Sequence, residues 1–123
     1  MKTIFAVDDS PTARASIRYT LEKDGYNVEL AEDGIDALDK INEYSDVIHV
    51  FLFDVNMPNM DGITLIKKVR EMQDHKFTPI LFLTTESQES KKMEGKKAGA
   101  SGWVVKPFEP IQLLEIIKRF AGP

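Results

Sequence analysis

Two hydrophobic periods alternate along this chain from one end to the other. Ile4-Phe5-Ala6-Val7 is a short unbroken apolar run followed by turn residues, the pattern of a strand buried on both faces. Ser10-Pro11 then starts a helix, with serine as N-cap and proline at the first helical position, where its missing N–H removes no bond. Ile17 and Leu21 give that helix its inward face, and Gly25 ends it. A second strand is predicted over Val28 to Ala31, and Asp33 caps a second helix with Ile35, Leu38 and Ile41 inward. The longest apolar run, Val47 to Phe53, predicts the third and central strand of a parallel sheet. Asp61-Gly62 opens a third helix with Ile63, Ile66 and Val69 inward, and Pro79 to Leu83 predicts the fourth strand. Ser87 to Ala98 reads as a helix poor in apolar residues. Trp103-Val104-Val105 is a short fifth strand, and Pro110 begins a last helix with Leu113, Leu114, Ile117 and Phe120 on one stripe.

Five such strand–helix units imply the α/β class, with helices on both faces of a parallel sheet. The expected architecture is flavodoxin-like: a doubly wound, five-stranded sheet in the order 2-1-3-4-5 with five helices. No linker, repeat or low-complexity stretch interrupts it, so residues 1–123 read as a single domain, with no output domain after the fifth helix. Composition narrows the function classes. With no cysteine there is no disulfide framework and no thiolate metal site, so any metal is held by oxygen or by His49 and His75. A net charge of −4 argues against a protein that neutralises nucleic-acid phosphates. The apolar run Ile4 to Val7 is too short for a signal peptide or a membrane span, which points to the cytoplasm.

Ligands bind at the carboxyl ends of the strands in such a sheet, where the strand order reverses. The first strand ends at Asp8-Asp9 and its neighbour, the third, ends at Asp54, so three carboxylates converge. Like charges this close repel unless a cation holds them, and an all-oxygen set with few ligands favours Mg²⁺ over Ca²⁺. The fourth strand ends at Thr84 and the fifth at Lys106-Pro107. A carboxylate nucleophile, a hard cation, a lysine and a hydroxyl are the parts that phosphoryl transfer needs. Singly, each has a plain structural reading: an N-cap loop, a strand-end hydroxyl, a solvated lysine. Four strands delivering suitable groups to one edge is a different matter.

Val7-Asp8-Asp9-Ser10, Asp54-Val55-Asn56-Met57-Pro58 with Asp61-Gly62, Leu83-Thr84, and Gly102-Trp103-Val104-Val105-Lys106-Pro107-Phe108 resemble the motifs of bacterial response-regulator receiver domains. The resemblance spans essentially the whole chain and is strongest to single-domain chemotaxis regulators of the CheY type. It implies that Asp54 is the phosphoacceptor, forming an acyl phosphate. It implies Asp9, Asp54 and the main-chain carbonyl of Asn56 as Mg²⁺ ligands, with Asp8 acting mainly through water. Lys106 and the Thr84 hydroxyl would contact the phosphoryl oxygens, and movement of Thr84 would admit the aromatic residue of the fifth strand. Asn56 and Glu86 match the pair that tunes loss of the phosphoryl group in this family. Two positions depart from the common pattern: Trp103 replaces the usual Tyr or Phe, and the bulkier Thr85 follows the switch threonine.

The implied function is a two-component signalling switch, not a conventional enzyme. A sensor histidine kinase would be the phosphodonor, and a protein such as a flagellar motor switch component the target of a monomer. A phosphorelay carrier or a phosphate sink would have the same parts. An Mg²⁺-dependent aspartate-nucleophile phosphatase needs a second aspartate two residues beyond the first, and Asn56 stands there. A flavodoxin would bring its flavin phosphate against Asp8 and Asp9. A receiver fold that is never phosphorylated would not need Lys106 and Thr84 beside a full acidic set. The expected partner surface is the fourth helix, fifth strand and fifth helix. In the fourth helix Met93 and Ala98 lie roughly 140° apart, too far for a broad core stripe. Gly95 interrupts it, and Lys91, Lys92, Lys96 and Lys97 make it basic.

Overall fold

In the computed structural model, which describes residues 1–85 and 89–122 with the side chains of Glu89 and Lys91 excepted, strands and helices alternate throughout. The strands are β1 (Thr3–Val7), β2 (Asn27–Ala31), β3 (Val50–Asp54), β4 (Ile80–Thr84) and β5 (Gly102–Val105). The helices are α1 (Pro11–Lys23), α2 (Gly34–Glu43), α3 (Gly62–Glu71), α4 (Glu89–Ala98) and α5 (Pro110–Ala121), with a 3₁₀ turn at Gln73–His75. All strands pair in parallel in the order β2-β1-β3-β4-β5, as expected.

Side chains alternate across the sheet and feed two cores. On one face Ile4, Leu52 and Leu83 pack against Ile17 and Leu21 of α1 and Leu113 and Ile117 of α5. On the other, Phe5, Phe51, Phe53 and Phe82 pack against α2, α3 and Ala98 of α4. The central strands β1, β3 and β4 are buried along their full length, which is why they read as unbroken apolar runs. The helix starts follow the capping residues. Ser10 Oγ accepts from Ala13 N, Asp33 Oδ1 from Asp36 N and Asp61 Oδ1 from Thr64 N. Gly25, at φ +93°, lies just beyond the end of α1.

The structure moves several expected boundaries and faces. β3 begins at Val50, not Val47: Val47 is 62% exposed and its N–H is taken by Asp46 Oδ1, so the start of the apolar run is loop. His49 instead meets the start of β1, donating its N–H to Thr3 O while its Nδ1 accepts from Thr3 N. β4 runs from Ile80 through Thr84, with Pro79 outside the strand and its carbonyl accepting from Phe51 N. β2 includes Asn27. Ile35 is exposed, because Ala37 and Ile41 take the buried face of α2. In α3 the buried stripe is Leu65, Ile66 and Val69, with Ile63 partly covered. The described part of α4 starts at Glu89, so Ser87 as its first residue lies outside the described residues. Trp103 is 37% exposed and is not a core tryptophan.

Candidate functional site

The register Val7↔Phe53 sets the carboxyl ends of β1 and β3 side by side. Backbone bonds then carry the ladder past the strand ends. Asp8 N donates to Ala31 O, Val55 N to Leu83 O and Lys106 N to Thr84 O, so the loops leave the sheet in fixed directions. Gly62 packs so tightly on the start of the β3–α3 loop that a Cβ there would overlap the Asp54 carbonyl oxygen and stand 2.8 Å from Val55 Cα. Gly62 N also donates to Val55 O. Only glycine lets α3 begin this close to Asp54.

Asp8, Asp9 and Asp54 each bring a carboxylate oxygen to within 4.8 Å of the others. Their exposure differs. Asp8 is 0% exposed and Asp54 5%, whereas Asp9 is open to solvent. Both oxygens of Asp8 are engaged: Oδ1 accepts from Ser10 N at 3.0 Å and Oδ2 from Lys106 Nζ at 2.7 Å. Arg14 Nη1 donates to the Asp8 carbonyl at 2.7 Å, a support for the loop that the sequence reading missed. The only hint was an arginine one helical turn beyond the Ser10 cap. Asp54 Oδ1 accepts from Asn56 N at 3.2 Å, and Lys106 Nζ lies 3.5 Å from Asp54 Oδ2. One ammonium therefore faces two buried carboxylates.

The electrostatics follow from that count. Burial and the charge of Asp8 push the Asp54 carboxyl up to about 6, with Asp9 adding to the rise. Lys106 and the Asn56 N–H oppose it without cancelling it. Burial pulls Lys106 down, but its hydrogen bond to Asp8 and the charges of Asp54 and Asp8 outweigh that, so its pKa is raised. Among the described residues one ammonium, that of Lys106, meets this cluster of three carboxylates, which leaves room for more positive charge. Clustered hard oxygen donors with no sulfur or imidazole among them suit Mg²⁺, so the residues fit that ion.

An open groove of about 640 Å³ adjoins Asp9 and Asn56, lined also by Met57, Asp61, Lys67 and Glu94. A second groove, about 460 Å³, lies at the opposite edge of the sheet among Tyr44, Ile48, Met72 and His75. Among the described residues the acidic cluster is the sole candidate metal centre, and it belongs to the first edge. Thr84 is fully buried at the end of β4 and lies across from Val105 in the register. The Lys106–Pro107 peptide is cis. Trp103 stands farther from the edge, opposite Phe82, with Lys92 Nζ 4.8 Å from its ring centroid. Thr85 is exposed, and Glu86 lies outside the described residues. Thus Asp8, Asp9, Asp54, Asn56 and Lys106 come together at one edge beside Thr84, with Trp103 one step back.

Comparison with known proteins converges on one family. Residues 4–118 match the response regulator receiver domain family. The chain is 39% identical over 120 residues to the chemotaxis protein CheY1 of Helicobacter pylori, covering 97% of this chain and 96% of that protein. Chemotaxis protein CheY4 of Vibrio cholerae superposes with a TM-score of 0.93 at 48% identity, over 98% of each chain. The receiver domain of a Pseudomonas aeruginosa sensor histidine kinase, solved with a magnesium ion coordinated in its active-site cleft, superposes with a TM-score of 0.89 at 27% identity, over 99% of this chain and 98% of that one. With this sheet order, this acidic edge and these relatives, the chain belongs to the response regulator receiver domain family and is of the CheY type.

Proposed function

We propose that this chain is a single-domain, cytoplasmic switch that accepts a phosphoryl group on Asp54 and thereby changes the partners it binds. The observation that supports the reading best is Lys106 bridging Asp8 and Asp54 within a three-carboxylate cluster. Such a cluster is costly to bury and has a use when cations and a phosphoryl group come to it.

Asp9, Asp54 and the Asn56 carbonyl would hold Mg²⁺, with Asp8 acting through water. When bound, the ion supplies the positive charge that offsets the carboxylates and the transferring oxygens. An Asp54 carboxylate oxygen attacks phosphorus, the bond from phosphorus to the donor breaks, and the electron pair leaves with the donor. For a histidine kinase the leaving atom is a ring nitrogen, which takes up a proton. Lys106 Nζ, already between Asp8 and Asp54, is positioned to pair with a phosphoryl oxygen, and the Thr84 hydroxyl stands at the neighbouring strand end. Asn56, two residues beyond Asp54, can orient attacking water by hydrogen bonding and so help reset the switch. Glu86 would share that role.

Incubation with acetyl phosphate and Mg²⁺ should add one phosphoryl group, stable to acid and labile to base, and change the fluorescence of the sole tryptophan, Trp103. Asp54→Asn should remove the label completely with the fold retained. Stoichiometric labelling of that variant would reject Asp54 as acceptor.

The partner surface in this reading is α4, β5 and α5. Trp103 and Val105 are partly exposed there, Met93 and Ile111 more so, and Lys92, Lys96 and Lys97 add positive charge to an otherwise acidic chain. That combination suits an acidic, amphipathic partner segment, and a flagellar motor switch component is the proposed target. Reversing Lys92 and Lys96 to Glu should weaken target binding about tenfold or more at low salt, while Asp54 is charged at the normal rate. Equal binding by the reversed variant at low salt would remove this surface from the proposal.

A further inference from the structure

Phe82 packs against Gly95 and neighbours Trp103, and the signalling reading leaves Phe82 without a role. In β4, Phe82 stands two residues before Thr84, so both side chains point to the same face of the sheet. In β5, Trp103 and Val105 are their cross-strand partners and share that face. The rings of Phe82 and Trp103 are neighbours, 6.3 Å apart between centroids and tilted by 37°. Helix α4 lies against Phe82 by its backbone. A Cβ on Gly95 would overlap Cε1 of the Phe82 ring and stand 2.7 Å from its Cζ. A single ring thus touches the helix on one side and neighbours Trp103 on the other.

Among the described residues, the two ends of α4 make different contacts. At the C-terminal end Ala98 is buried, and the Gly99 carbonyl accepts from Arg70 Nε at 2.9 Å. Arg70 Nη1 also donates to His75 O and Thr78 O, so the guanidinium ties α3, the following loop and the end of α4 together. Gly99 has φ +115°, and a Cβ there would press on Arg70 Cγ at 2.9 Å. Toward the other end, Met93 is 54% exposed and Lys92 reaches the sheet through the Trp103 ring, a contact of modest strength at a surface.

We propose that α4 is an arm hinged at the Arg70–Gly99 clamp and moved by the Phe82–Gly95 contact, which makes Phe82 the positioning residue that links Thr84 and Trp103 to the helix. Glycine is essential to the linkage: with no side chain between ring and helix backbone, a shift of the ring displaces the helix directly. The inference rests on the receiver chemistry proposed above, and adds the route by which that chemistry reaches the partner surface.

The coupling is reciprocal, so moving the helix must alter the affinity of the phosphoryl site. The probe is beryllofluoride with Mg²⁺, a phosphoryl mimic, with affinity measured by calorimetry and α4 followed by hydrogen–deuterium exchange. Gly95→Ala pushes the helix off the ring: α4 amides should exchange about tenfold faster without the probe, and the probe should bind about threefold tighter. Phe82→Leu removes the clashing ring atoms: α4 exchange should no longer respond to the probe, and in the double variant Gly95→Ala should no longer speed exchange. An affinity within about twofold of wild type in Gly95→Ala, with α4 exchange raised, would overturn the coupling. If Gly95→Ala does not fold, Phe82→Leu decides, and a full α4 response in that variant would overturn it. A wild-type chain that does not bind beryllofluoride would instead overturn the receiver chemistry, and the coupling with it.

Discussion

Replacing Lys106 by Met is expected to destabilise the metal-free protein by about 2–4 kcal/mol, a large loss for one surface-edge lysine. Its ammonium is the cation shared by Asp8 and Asp54, and Asp8 has no access to water. Removing it leaves two buried carboxylates facing each other, and an uncompensated buried charge typically costs about 3–5 kcal/mol. The lysine side chain is 20% exposed, so solvent screens part of that. Mg²⁺ should restore much of the loss, because it brings positive charge to the same oxygens. Urea denaturation in EDTA and in Mg²⁺ measures both quantities. A loss below about 0.5 kcal/mol in EDTA, or an equal loss in Mg²⁺, would mean that the three carboxylates do not act as one electrostatic unit.

Asp54→Asn should do the opposite. The folded protein holds the Asp54 carboxyl at about 6, above the ordinary value of 3.8, first because burial disfavours its charge and then because Asp8 repels it. A carboxyl whose pKa is raised by folding binds its proton more tightly in the folded state, so stability falls as pH rises through the interval between the two values. Below pH 3.8 the cost is absent. Above about pH 6 it is complete, at roughly 2–3 kcal/mol for a shift of this size. Asparagine cannot ionise, so in EDTA the variant should match wild type near pH 3.5 and exceed it by roughly 2–3 kcal/mol at pH 7. Saturating Mg²⁺ should close that gap, since it stabilises only the chain that binds it. A wild-type chain that loses nothing relative to the variant between pH 4 and pH 6.5 would show that Asp54 ionises without strain.

The strands and the acidic edge were legible in the sequence for a physical reason. Strands buried on both faces must be apolar without interruption, and the residues at or just past their carboxyl ends, Asp8-Asp9, Asp54, Thr84 and Lys106, then fall at one edge. What stayed hidden depends on contacts between distant segments. Apolar content alone could not show that Val47 and Ile48 precede the ladder, because the start of β3 is set by where β1 begins. Ile35 looked as good a core residue as Ile41, and only the packing of Ala37 turned it outward. Gly95 looked like a weakness in α4, at about 1 kcal/mol against alanine, yet it gives Phe82 its seat. The pairing of Lys106 with Asp8 joins residues 98 positions apart, which no local pattern reports.

The uneven exposure of the three carboxylates has a kinetic side. Asp8 and Asp54 are enclosed while Asp9 opens to solvent beside a shallow groove. Cation and small donor can approach along the Asp9 flank while the buried pair stays in place. On the proposed function, no large opening motion then limits how fast the switch is charged; encounter and chemistry set that rate. On the same proposal, duration would be governed separately, by how readily water reaches phosphorus past Asn56. Signal onset and signal memory would therefore sit on different side chains, free to be tuned apart.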